Sequence, residues 1–154
     1  FLLQPYYRNF NKRILKSPKL FFYDTGLLCT LMGIKRPEDL SLHFNLGNIF
    51  ENFIISELVK TRYNNQLNID LYFWRESNGS EIDCIADSGS VMKAIEIKSS
   101  QTLHPELFRQ LVFWNKLTQN SAGNNSFLIY RGEETQRRDS ISVIPWHKTH
   151  KALE

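Results

Sequence analysis

The chain has 154 residues, 42% hydrophobic and 13% aromatic, which suits one folded domain and excludes a disordered chain. No apolar run approaches the roughly 20 residues of a membrane span, and Cys29 and Cys84 are isolated. We therefore expect a cytoplasmic protein with reduced thiols and no membrane partner.

The net charge is +3, but residues 1–36 carry seven lysines and arginines and one aspartate. This excess of positive charge indicates either a surface that meets nucleic acid or a solvated basic face.

The first 45 residues predict short elements joined by polar segments. Pro18 disfavours a helical conformation at Ser17, and Gly33 can end a short helix that Asp24 caps. The expected pieces are extended segments over 1–7 and 19–23 joined by a basic turn or helical linker, a helix over 26–32 and a loop over 33–45.

The clearest helix covers residues 46 to about 63, where apolar side chains recur at helical spacing. Its opposite side is expected to be polar, with Asn48, Asn52 and Ser56. Glu51 lies inside the apolar half of this helix. Because an unpaired buried carboxylate is unfavourable, Glu51 needs a partner, either a metal ion or an arginine.

Three strands are predicted next, over 69–74, 81–86 and 91–98, with turn signals between them. A two-residue turn at Gly89-Ser90 would pair Ser88 with Val91 and place Asp83 directly opposite Glu96, whereas a three-residue loop would shift the pairing by one. Opposite residues of an antiparallel pair have Cβ atoms about 4.5–5.5 Å apart, a distance that one metal ion can bridge.

The last third of the chain predicts a second helix and two further strands. Pro105 can open the helix, which continues to about Thr118 and carries Gln110 on its apolar stripe. Strands over 127–130 and 141–145 flank a polar hairpin at 131–140. The order of elements predicts an α/β fold with a mixed central β-sheet flanked by helices.

The polar residues of these elements match the chemistry of a magnesium site. Asp83 and Glu96 offer the carboxylates that Mg²⁺ prefers, and Glu51 could complete the set from the helix. Lys98 shares the face of Glu96 and, staying protonated beside two carboxylates, would stabilise charge on a phosphate. Gln110 could hold a water or a phosphate oxygen. This arrangement suits phosphodiester cleavage with Mg²⁺, or with Mn²⁺ in its place.

A plainer interpretation is that these residues form ordinary ion pairs on a sheet face, each contributing a fraction of a kcal/mol. Glu51 could then pair with an arginine, and Gln110 could bond to the backbone. The chain contains no Gly-x-x-x-x-Gly-Lys-Ser/Thr loop, so we expect no nucleotide site in it.

Helical Glu51, then Asp83, then Glu96-Ile97-Lys98, then Gln110 resembles the PD-(D/E)XK nuclease superfamily over about residues 46–145. The proline before the aspartate is replaced by Ile82. The resemblance implies a restriction-endonuclease-like core with the order α-β-β-β-α-β.

A second resemblance covers nearly the whole chain. Its motifs are KSPKLFFYDTGL at 16–27, GNIFEN at 47–52, WR at 74–75 and IEIKS at 95–99. Together they resemble the C-terminal domain of unknown function of prokaryotic AAA-family ATPases, in which a P-loop ATPase and a winged-helix-like segment come first. The resemblance implies that residues 1–40 are the remnant of the junction to that upstream region and that residues 41–154 form the nuclease-like domain. A C-terminal fragment would also begin without methionine, as this chain does at Phe1.

Two functions are therefore expected. The first is metal-dependent hydrolysis of DNA phosphodiesters, with Glu51, Asp83 and Glu96 as ligands, Lys98 and Gln110 acting on the phosphate, and the ATPase as a partner in cis. The second is a catalytically inactive module that binds nucleic acid or protein and targets the ATPase.

Overall fold

The computed structural model describes residues 1–7, 17–77, 79–119 and 125–154, which contain one eight-stranded mixed sheet. Its strands are β1 (Leu2–Pro5), β2 (Lys19–Leu20), β3 (Leu71–Arg75), β4 (Glu81–Asp87), β5 (Met92–Lys98), β6 (Ser126–Tyr130), β7 (Gln136–Arg138) and β8 (Ile141–Pro145). They lie in the order β2-β1-β3-β4-β5-β6-β8-β7. The pairs β1/β3, β5/β6 and β6/β8 are parallel, and the other neighbours are antiparallel. The basic linker predicted before β2 lies largely outside the described residues, since 8–16 are not among them.

Helices cover both faces of this sheet. They are α1 (Thr25–Leu31), α2 (Pro37–Ser41), α3 (Leu46–Asn64) and α4 (Arg109–Thr118), with 3₁₀ turns at Pro105–Phe108 and Trp146–Ala152. Ile54 of α3 shares one hydrophobic core with Ile95 of β5, whereas Leu111 and Trp114 of α4 share a second core with Ile85 of β4. The predicted α/β class, with a mixed sheet flanked by helices, is confirmed. None of the helices in the described part of the chain is both long and apolar enough to cross a bilayer.

The helix α3 is buried on more sides than its sequence pattern indicates. Ile54, Ile55 and Leu58 are fully buried against the sheet, each contributing about 1.5–3 kcal/mol. Asn52 and Ser56, expected on a polar side, are also buried. The reason for Asn52 is that residues 19–25 pack there: its side chain accepts a hydrogen bond from the Phe22 amide and donates one to the Phe22 carbonyl.

The hairpin between β4 and β5 has the predicted register. The Ser88 amide donates to the Val91 carbonyl (N···O 3.0 Å), and Cys84 pairs with Ile95. Gly89 adopts a φ of +82° in the turn, a conformation that glycine accepts without strain. One step further along this register, Asp83 lies opposite Glu96, as expected.

The strand β4 contains a β-bulge that the sequence pattern did not indicate. Trp74 of β3 pairs with Ile82 and Tyr72 pairs with Ile85, so Asp83 and Cys84 together oppose the single residue Phe73. Ile82 and Ile85 both pack in the core under α4, whereas Cys84 packs under α3. Side-chain alternation is therefore interrupted at Asp83, as in other bulges, which often lie beside functional sites.

Two polar segments contain regular structure that was not predicted. Residues 33–45, expected to be a loop, include α2, which Pro37 can begin because its missing N–H is not needed in a first helical turn. The hairpin expected over 131–140 lies instead between β7 and β8, with Asp139 at a φ of +52° in its turn. The strands β6 and β8 consequently run parallel rather than forming a hairpin with each other.

Candidate functional site

A cleft of about 740 Å³ opens at one end of the sheet, between the first turns of α3 and α4. All five side chains singled out by sequence line it: Glu51, Asp83, Glu96, Lys98 and Gln110. Glu51 lies on α3 and Asp83 in the bulge of β4. Glu96 and Lys98 lie at the end of β5, and Gln110 lies in the first turn of α4. The fold thus brings together residues that are far apart along the chain.

Lys98 bridges the two carboxylates that face each other across β4 and β5. Its Nζ lies 2.5 Å from Glu96 Oε1 and 3.6 Å from Asp83 Oδ2. Asp83 Oδ2 also accepts a hydrogen bond from the Ile97 amide at 2.8 Å. Glu96 is only 2% exposed, and its second oxygen, Oε2, has no hydrogen-bond partner within the described ranges. A buried carboxylate oxygen of this kind is open to a further ligand.

A second acidic group adjoins this pair. Glu51, Glu81 and Asp83 each offer a carboxylate oxygen, and these atoms lie within 4.8 Å of one another. Lys19 of β2 enters the group: its Nζ lies 2.9 Å from Glu51 Oε1, and it also forms an ion pair with Glu81. Arg75 of β3 binds Glu81 as well, with Nε 2.5 Å from Oε2. Glu51 and Glu81 therefore already have cationic partners.

Burial controls the protonation of the carboxyl groups. Burial, reinforced by the charge of Asp83, raises the pKa of Glu96 to about 8. Burial also raises the pKa of Asp83 against the opposing effect of Lys98, and the pKa of Glu51 against that of Lys19. For Lys98, burial lowers the pKa, but the neighbouring Asp83 and Glu96 outweigh burial and the net pKa is raised. The raised pKa favours the charged form of Lys98.

Asp83 and Glu96 match a hard divalent cation in the chemistry of their ligand atoms, although the group of three carboxylates that lie close together within the described residues contains Glu81 and not Glu96. Asp83 and Glu96 offer carboxylate oxygens, the ligands that Mg²⁺ selects, and Glu96 Oε2 has no competing partner in the described part of the chain. A divalent ion there would also favour the ionised form of Glu96, whose pKa burial raises. Glu51 fits less well as a free ligand, because Lys19 binds it.

Three charged residues of the cleft were not predicted as metal ligands or catalytic groups: Lys19, Arg75 and Glu81. Glu81 could have been assigned from the sequence, because strand alternation puts it on the same face as Asp83, two residues earlier in β4. Arg75 lies opposite Glu81 on β3, which depends on the bulged register. Lys19 had no local signal beyond its basic surroundings, since its partner Glu51 is 32 residues away in the chain.

Two family models match this chain. One, described as "Domain of unknown function (DUF4143)", matches residues 46–149, and another, described as "Domain of unknown function (DUF8612)", matches residues 1–38. The carboxylates of the cleft thus lie in the first matched region and Lys19 in the second. No solved structure matches the chain significantly.

Two curated relatives are uncharacterized proteins of Mycobacterium bovis and Mycobacterium tuberculosis. Each is 32% identical over 109 residues, which cover 71% of this chain and 23% of the relative. The matched part is thus less than a quarter of either relative's length. Because one family model matches more than half of the chain, the protein belongs to the DUF4143 family.

Proposed function

We propose that this domain hydrolyses DNA phosphodiester bonds with a bound Mg²⁺, for which Mn²⁺ can substitute. The proposal depends above all on one observation: the Lys98 ammonium bridges two buried carboxylates, Asp83 and Glu96, inside an open cleft. Two acidic ligands with a cation beside them are a common arrangement for phosphoryl chemistry, because charge develops on the phosphate oxygens during cleavage.

Each residue has a distinct role in this proposal. Asp83 and Glu96 would hold the ion, whereas Glu51, expected as a supplementary ligand, pairs with Lys19 instead. The ion, when bound, polarises the phosphate and lowers the pKa of a bound water. Lys98 donates hydrogen bonds to the phosphate oxygens, and Gln110 positions a water or a phosphate oxygen from the first turn of α4.

The order of elements supports a restriction-endonuclease-like core of the PD-(D/E)XK type. α3, β3, β4, β5, α4 and β6 follow one another as α-β-β-β-α-β, and α4 crosses over between the parallel strands β5 and β6. The resemblance to the C-terminal domains of AAA-family ATPases supports a cytoplasmic setting in which an ATPase acts in cis. The relatives, more than four times as long as the matched segment, leave room for such a partner.

Metal binding is tested first, by calorimetric titration of Mn²⁺ into the wild-type domain and Asp83→Asn. The Asn oxygen can still accept from the Ile97 amide, so the fold is retained while the charge is lost. We expect wild-type binding and at least about 10-fold weaker binding in the variant, because loss of even an indirect partner of a metal typically weakens its binding by about 10–100-fold. Glu57→Gln, an exposed carboxylate on α3 that pairs with Lys60, is the matched control. Absence of Mn²⁺ binding in the wild type would remove the proposal.

Cleavage is tested next by nicking of supercoiled plasmid with Mg²⁺. The wild type should nick the plasmid, and Glu96→Ala should be inactive because it removes the buried ligand. Nicking that persists at the wild-type rate in Glu96→Ala would identify a contaminating nuclease and contradict the assignment.

The second candidate function is an inactive binding module that targets the ATPase. One observation favours it: Lys19 and Arg75 neutralise Glu51 and Glu81, so half of the acidic cleft forms closed ion pairs. DNA binding measured by fluorescence anisotropy in EDTA discriminates between the two. Binding that is unchanged by Mn²⁺ and by Asp83→Asn, without nicking, would favour the module over the nuclease.

A further inference from the structure

The side chain of Lys19 occupies the position in the cleft where a cation would bind Glu51 and Glu81. Its Nζ contacts both carboxylates and lies 5.3 Å from the centre of the Phe73 ring, whose face favours a positive charge. With Asp83, these carboxylates form the group whose oxygens lie within 4.8 Å of one another. The ammonium group is therefore the cation that this group of carboxylates already binds.

The position of Lys19 is held by the fold rather than by the ion pairs alone. Lys19 pairs with Leu3 in the β1–β2 ladder. Three residues later, Asn52 binds both the amide and the carbonyl of Phe22, at 2.7 and 3.0 Å. The backbone that carries Lys19 is therefore fixed relative to α3, the helix that carries Glu51.

A divalent ion and the Lys19 ammonium cannot both bind the same oxygens of Glu51 and Glu81, because like charges in a partly buried site repel strongly. Asp83 and Glu96 likewise share the Lys98 ammonium, but Glu96, which lines the same cleft, keeps a buried oxygen, Oε2, that has no hydrogen-bond partner within the described ranges. The position between Glu51 and Glu81 is therefore filled by the chain, whereas Glu96 retains one carboxylate oxygen without a partner.

We propose that Lys19 is a built-in cation that excludes a divalent ion from Glu51 and Glu81, so that the wild-type cleft binds one ion fewer than its carboxylates could hold. Sites with two ions about 3.5–4 Å apart use both to bind the phosphate, and here the Lys19 ammonium takes the place of the second. This role in phosphate binding rests on the proposed function, but the exclusion of an ion by Lys19 does not.

The test is the number of Mn²⁺ ions bound per chain, measured by equilibrium dialysis and by the electron paramagnetic resonance signal of free Mn²⁺. Lys19→Met should bind one more ion than the wild type. Lys19→Arg, which keeps a cation, should keep the wild-type number, and so should Lys60→Met, which removes an exposed lysine from α3. Adding Glu51→Gln to Lys19→Met should abolish the extra ion and thereby locate it.

An equal number of ions in folded Lys19→Met and in the wild type overturns the inference. Lys19→Gln, whose amide can still donate to one carboxylate, provides the same comparison should the Met variant fail to fold. A wild type that binds no ion while Lys19→Met binds one would support exclusion by Lys19 and contradict the nuclease proposal. One ion in both the wild type and Lys19→Met would contradict exclusion by Lys19 and support the nuclease proposal. The failure of one proposal can therefore be distinguished from the failure of the other.

Discussion

The two halves of the cleft contain the same kinds of residue but differ in how completely their charges are balanced. Glu51 and Glu81, with side chains each 20% exposed, share the two cations Lys19 and Arg75. Asp83 and Glu96, with side chains 12% and 3% exposed, share the single cation Lys98 among the residues that the structure describes. The more deeply buried pair thus has the fewer cations. The balance of charge around the carboxylates, rather than their number, distinguishes the half that can take a ligand.

Among these variants, Lys98→Met should lower the free energy of unfolding most. It leaves Asp83 and Glu96 without a cation in the most buried part of the cleft, and removing one partner of a buried pair typically costs about 3–5 kcal/mol. Urea denaturation in EDTA measures the loss of unfolding free energy. Lys60→Met, the exposed control, should change it by less than about 0.5 kcal/mol. A similarly small effect of Lys98→Met would show that the two halves are equally balanced.

The pH dependence of the free energy of unfolding should be determined mainly by Glu96, in the buried half of the cleft. The pKa of Glu96 rises from 4.5 to about 8 on folding, so the folded protein binds an extra proton between these values. Stability from this group is complete below about pH 4.5 and is lost as the pH rises through about 8, with a slope of at most about 1.4 kcal/mol per pH unit. Unfolding in EDTA between pH 5 and 8.5 measures it.

Glu96→Gln should remove most of this slope, because the amide does not titrate. Glu57→Gln, which changes an exposed carboxylate of α3, should keep the slope. A slope that survives in Glu96→Gln would assign the proton to another group.

Asn52→Ala should loosen the contact between α3 and the N-terminal segment that carries Lys19, and so lower the stability of the protein. It removes the hydrogen bonds to the backbone of Phe22 and leaves a buried polar group unpaired, a loss of about 1–3 kcal/mol. Asn48→Ala is the control, since the exposed Asn48 lies one turn earlier and its amide donates to the Asn45 side chain. Thermal unfolding of both variants gives the difference, and equal losses would mean that the Phe22 contact contributes nothing specific.

Lys19→Met should have the smallest effect on stability. Glu81 keeps Arg75, and Glu51 is partly exposed to water, so the loss should be about 1 kcal/mol, closer to that of a surface ion pair than to that of Lys98→Met. The same urea denaturation in EDTA measures it. A loss as large as that of Lys98→Met would show that the half containing Lys19 is as dependent on its cation as the buried half.

Sequence patterns predicted the parts of the fold that depend on local chemistry. The turn at Gly89-Ser90 predicted the register of β4 and β5, because a two-residue turn pairs Ser88 with Val91, and the structure has this register rather than the one shifted by a three-residue loop. The apolar repeat located α3 within a residue at each end.

Features that depend on packing between distant segments were not predictable from those patterns. The bulge at Asp83 and Cys84 interrupts an alternation that the strand pattern assumes to be regular. Asn52 looked solvent-facing because a helical repeat does not reveal that residues 19–25 cover that side. β7 consists of Gln136, Arg137 and Arg138, an edge strand with no apolar residue to indicate it.

The attachment of β1 to β3 has a practical consequence for anyone who expresses the region matched by the DUF4143 model alone. Gln4 and Pro5 pair with Tyr72 and Phe73, and the Tyr6 amide donates to the Phe73 carbonyl. A truncation that starts at residue 46 would uncover this five-residue, largely apolar strand as an open sheet edge, which favours aggregation between molecules. We therefore expect the region matched by the DUF4143 model to need β1 for a protected sheet edge.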